Sequence, residues 1–115
     1  MKRNMRILVW AALLAASSHG ALAQTSGALG SRTVKSYWVE GGAFLAVTPT
    51  VPFDNPTGCT QSSLAIIPAT HPAYKQMLAA VIHAMATNAP ISMWATGCYS
   101  SWGQTFPSFY ALGVG

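Results

Sequence analysis

The chain reads as a mainly β domain with one helix, and its element order, β-β-β-α-β-β, predicts a five-stranded OB-like barrel. Three observations lead there. Short runs rich in β-branched and aromatic residues alternate with Gly, Pro and Asn clusters, as strands and turns do. A single segment, Pro72 to Thr87, carries apolar residues at a helical period. The chain's two cysteines, Cys59 and Cys98, stand on either side of that segment. An α+β arrangement, with the helix packed on an antiparallel sheet, fits the same order and remains the alternative.

The opening residues belong to a different kind of element. Met1 to Arg6 is cationic, Ile7 to Ala16 is an apolar run without charge, and Ala21-Leu22-Ala23 has the small-x-small pattern of a signal peptidase site. The apolar run is about half the length of a membrane span, so residues 1–23 are expected to be a signal peptide. Export through the Sec pathway to the periplasm or the exterior follows. The formal charge of +4 then misleads, because Lys2, Arg3 and Arg6 leave with the signal. What stays is Arg32, Lys35 and Lys75 against Glu40 and Asp54, a net of +1. Dispersed cations without a run cannot track a phosphate backbone, which excludes nucleic acid as a partner. A helix whose polar side holds Lys75 alone is not a membrane-surface helix either, so no membrane association is expected after signal removal.

Residues 24–32, small and glycine-rich without a period, read as a flexible leader. The folded domain is expected over residues 33–115. Val34 to Val39 and Ala43 to Thr48 are two strands hinged on Gly41-Gly42, a hairpin, with Tyr37 and Val39 on one face and Ser36 and Trp38 on the other. Pro49, Pro52 and Pro56 end it, making Pro49 to Gly58 a loop that delivers Cys59. Ser62 to Ile67 is a third strand, stopped by Pro68. In the helix, Tyr74, Met77, Leu78, Val81, Ile82 and Met85 share a stripe, which predicts burial of Met77, Leu78, Val81 and Ile82. Thr70 is the expected N-cap, and Asn88 followed by Pro90 the stop. Ile91 to Thr96 is the fourth strand, Tyr99 to Thr105 an aromatic loop, and Phe106 to Val114 the last strand.

The 92 residues from 24 to 115 make one small domain, which buries only roughly 60% of its potential surface and benefits from a staple. An even, low cysteine count in an exported chain reads as one disulfide, Cys59 to Cys98.

The motifs Asn55-Pro56-Thr57-Gly58-Cys59, Tyr74-Lys75-Gln76-Met77-Leu78 and Ala95-Thr96-Gly97-Cys98 resemble those of a loose group of small secreted bacterial proteins of unknown function, over Tyr37 to Val114. The layout of signal peptide, barrel, one helix and disulfide also resembles, distantly, the receptor-binding B subunits of subtilase-type AB5 toxins. That likeness implies a non-catalytic, receptor-binding oligomer subunit and assigns no residue a role.

Chemistry-bearing groups are sparse. Glu40 and Asp54 lie in different loops and form no recognisable acid–base pair. His71 and His83 are twelve residues apart, about 18 Å on a helix, too far to share a metal. No nucleophile-elbow pattern is present, so neither catalysis, nor a metal, nor a cofactor is expected. Binding is the better expectation. Trp38 and Trp94 sit inside strands, where packing is the default. Tyr99, Ser100, Ser101, Trp102 and Gln104 combine flat rings with neutral hydrogen-bonding groups and form the candidate contact segment. The sequence thus predicts a secreted binding module, a candidate homo-oligomer with a glycan or receptor ligand. The alternative is a small exported structural or inhibitory protein that binds another protein.

Overall fold

The structure, a computed structural model, describes residues 25–115. The expected signal peptide lies outside the described residues. Seven elements follow in order: β1 (Ser26–Arg32), β2 (Val34–Glu40), β3 (Phe44–Pro49), β4 (Ala65–Pro68), α1 (Tyr74–Thr87), β5 (Ile91–Ser101) and β6 (Gln104–Val114). The strands form one six-stranded sheet in the order β1-β5-β6-β4-β3-β2. All neighbouring pairs are antiparallel except β4 and β6, which meet in parallel at Ile66 and Ser108. A parallel pair needs a long crossover, and α1 with β5 supplies it.

This corrects the expected fold. The hydrogen-bonded order has two ends, β1 and β2, so the architecture is a mixed six-stranded sheet with one helix against it and not a closed five-stranded OB-like barrel. The antiparallel α+β alternative fails at the β4–β6 pair. The layout behind the likeness to toxin B subunits goes with the barrel. The two ends of the sheet are nevertheless consecutive in the chain, separated only by Thr33, so the sheet must curl to bring them together.

The sixth strand comes from the expected flexible leader. Ser26 to Arg32 pairs with β5, through Ser26 with Thr96, Ala28 with Trp94 and Arg32 with Ile91. Only Leu29 is deeply buried along it, so its small, polar sequence carried no strand signal. Between Ala28 and Ser31 the register shifts, and Gly30 takes a φ of 89°. There the Arg32 side chain folds back, its Nε donating to Pro52 O at 3.0 Å and its Nη2 meeting Asp54 at 3.1 Å. The clamp ties the proline loop to β1. A Cβ at Gly30 would lie 2.5 Å from Arg32 Nη1, on a backbone that already disfavours side chains. Gly30→Ala is therefore expected to cost more than about 1 kcal/mol. An unchanged urea midpoint would show that the bulge relaxes freely.

The β2–β3 hairpin forms where glycines hinge it. Ala43 N–H donates to Glu40 O at 2.9 Å, and Gly42 takes a φ of 70° at the turn position that requires it. Along β3, alternate side chains enter two clusters. Leu45 and Val47 join Leu29, Ile67, Met93, Ala95 and Phe109 in the main core, where Met77, Val81 and Ala84 of α1 pack. Phe44 and Ala46 point the other way, onto Ile66 and Phe106. Both faces of β3 are thus covered.

The helix starts at Tyr74, two residues after the expected Pro72, and Thr70 does not cap it. His71 does the nearest equivalent, its Nδ1 accepting the Ala73 N–H at 3.0 Å. Asn88 closes the other end in the left-handed conformation, as expected. The buried stripe is Met77, Val81 and Ala84, with Leu78 half-buried and Ile82 exposed. The buried stripe is rotated from the one the large apolar residues mark, because the small Ala84 faces the core in place of Ile82.

Candidate functional site

Cys59 and Cys98 form a disulfide, with their Cα atoms 5.8 Å apart. The Asn-Pro-x-x-Cys motif builds this position: Asn55 Oδ1 accepts the Cys59 N–H at 3.0 Å and Asn55 Nδ2 donates to Cys59 O at 2.8 Å. Beyond Cys59, Thr60 and Thr105 bind each other reciprocally, each N–H donating to the other's Oγ1 at 2.8 Å. The loop is thereby fixed to the start of β6.

Tyr99 to Gln104 is not a loop. β5 runs through Ser101 and β6 begins at Gln104, so the segment is the closed end of a long hairpin with Trp102-Gly103 as its two-residue turn. Both turn residues have positive φ, 51° and 72°, as a type I′ hairpin turn demands. Asn is favoured at the first position, whereas an indole-bearing residue is strained there by roughly 1–2 kcal/mol. Trp102 meets Phe44 edge-to-face at 5.4 Å and Phe106 at 5.8 Å, and Tyr99 meets Phe44 at 5.5 Å. Even so, Trp102 stays 58% exposed. Ser100, Ser101, Gly103 and Gln104 line a shallow groove of about 440 Å³ with Thr60 and Thr105. No charged side chain lines it.

Two residues missed in the sequence complete this face. Trp38, expected to pack, is 60% exposed. The ladder sets it opposite Ala46 and sets Glu40 opposite Phe44, which puts both on the face of the aromatic cluster. Ala46 is too small to cover the indole. Trp38 Nε1 donates to Glu40 Oε2 at 3.3 Å. The available signal was the alternation itself: Trp38 and Glu40 are two apart on an edge strand, so they share a face. Trp94 was also expected to pack and is instead exposed, opposite Ala28 and Ala111 on another part of the sheet.

The remaining candidates stay apart. Asp54 is engaged by Arg32, and His83 lies exposed on α1. Among the described residues, no group of three or more His, Cys, Asp or Glu side chains is placed to hold a metal ion. No described helix is long and apolar enough to cross a membrane. No protein-family model, curated protein or solved structure matches the chain.

Proposed function

We propose that this is a small exported protein that binds another protein through the outer face of its sheet, with the exposed Trp102 and Trp38 and the half-buried Tyr99 as the contact surface, over a buried Phe44. The observation that carries this reading is Trp102: a large indole, more than half exposed, held in a turn position that its side chain strains. Strained residues persist where the surroundings over-determine them, and they cluster at contact and switch sites. Exposed Trp and Tyr anchors also concentrate binding energy at protein interfaces. The disulfide suits an oxidising compartment and limits motion near the closed end of the hairpin, which lowers the ordering cost of binding. In a structural or inhibitory role of this kind the surface itself is the function.

A neutral saccharide in the hydroxyl- and amide-lined groove beside Trp102 is the second reading, favoured by the uncharged lining. Co-purification from the exporting cell separates the two. Wild type and Trp94→Ala are expected to retain a common protein species that Trp38→Ala and Trp102→Ala lose. Retention by all four, or by none, would overturn the protein-binding reading. Glycan-array signal lost with Gln104→Ala would favour the groove.

A further inference from the structure

We propose that the outer face accepts a cationic side chain of its partner, an arginine guanidinium in preference to a lysine ammonium, against the exposed indoles of Trp38 and Trp102, with Glu40 as counter-ion. The inference rests on the protein-binding reading and names the chemistry of the partner. Two carboxylate side chains stand among the described residues. Asp54 is paired with Arg32 at 3.1 Å; Glu40 meets no cation among the described residues. Its one side-chain hydrogen bond there is accepted from Trp38, which sets the indole beside the carboxylate and leaves Oε1 for an incoming donor.

Register and packing bring two exposed indoles toward that carboxylate, over a buried Phe44. Trp38 is its neighbour on the same face of β2, Phe44 stands directly opposite on β3, and Trp102 packs on Phe44. Aromatic faces carry negative charge density and attract a cation placed within about 6 Å of the ring centroid. A guanidinium adds a planar surface that stacks on an indole and a fork that can grip a carboxylate, which a lysine ammonium lacks. The protein does not fill the site itself. Arg32 is committed to Asp54, and Lys75 lies in the helix. Lys35 stands near the bulge of β2, about 16 Å from Glu40 along an extended strand. An unpaired carboxylate flanked by exposed indoles is thus complementary to a basic partner.

The test follows the indole N–H signals of Trp38, Trp94 and Trp102 by NMR while N-acetyl-arginine amide is added to the intact protein. The uncharged isostere N-acetyl-citrulline amide serves as control at matched ionic strength. Saturable shifts of Trp38 and Trp102 with the arginine probe alone are expected, with Trp94 unmoved and the response lost in Glu40→Gln. An equal response to citrulline, an undiminished response in Glu40→Gln, or no response of Trp38 would overturn the proposal. A Trp94 signal at its wild-type position reports that the variant is folded. Co-purification keeps the two readings separable. Partner loss in Trp38→Ala and Trp102→Ala with an arginine response that ignores Glu40 would remove the cation chemistry and keep the protein interface. An arginine response as predicted, with co-purification unaffected by those variants, would keep the cation site and remove the protein partner.

Discussion

Phe109→Ala is expected to remove about 3–5 kcal/mol of stability, the range for deleting a fully enclosed aromatic side chain. Phe109 is 1% exposed on β6, and its register partner Ala95 is fully buried beside it. Loss of the ring leaves a void that neither the bulged β5–β6 ladder nor the small Ala95 can fill. Native domains are stable by only about 5–15 kcal/mol, so the variant should be substantially unfolded at modest urea. A midpoint shift worth under about 0.5 kcal/mol, the range of ordinary surface substitutions, would mean that the ring is not central to the core.

Replacing both cysteines by serine is expected to cost about 2–5 kcal/mol, because the bond closes a long loop in the unfolded chain. The two residues are 39 apart in sequence, and the loop between them contains β4 and α1. Without the bond, Asn55 still holds the turn at Cys59, and the Thr60–Thr105 pair still fastens the following residues. The loss should therefore appear mainly as a lower urea midpoint with little change in native secondary structure. A double variant as stable as wild type, or wild type indifferent to reductant, would contradict this.

The legible parts of the fold were those in which one physical signal dominated. Gly41-Gly42 announced the first hairpin because the turn needs glycine, and Asn88 before Pro90 marked the end of the helix. The lone cysteine pair announced the disulfide. β1 was illegible because its one buried apolar residue, Leu29, sits among Ser, Gly and Ala, and its strand state comes from pairing with β5. The parallel β4–β6 contact was illegible for a related reason: one register pair joins segments some forty residues apart. Trp102-Gly103 hid the second hairpin, since the usual signal is Asn-Gly and an indole there runs against the turn's preference. At the candidate site, the sequence singled out Tyr99, Ser100, Ser101, Trp102 and Gln104 and missed Trp38 and Glu40. The exposure of Trp38 depends on the small Ala46 across the ladder and on β2 being an edge strand, which only the strand order reveals; Glu40 stands half-buried opposite Phe44.

Urea unfolding of Trp102→Asn tests most directly whether Trp102 is an exposed contact anchor or part of the core. Asn suits the left-handed turn position, so relief of roughly 1–2 kcal/mol of strain should offset the two lost edge-to-face contacts, each worth about 0.5–1.5 kcal/mol. The account predicts a midpoint within about 1 kcal/mol of wild type together with loss of partner co-purification. A loss of about 3–5 kcal/mol, the cost of removing a buried indole, would contradict it and assign Trp102 to the core.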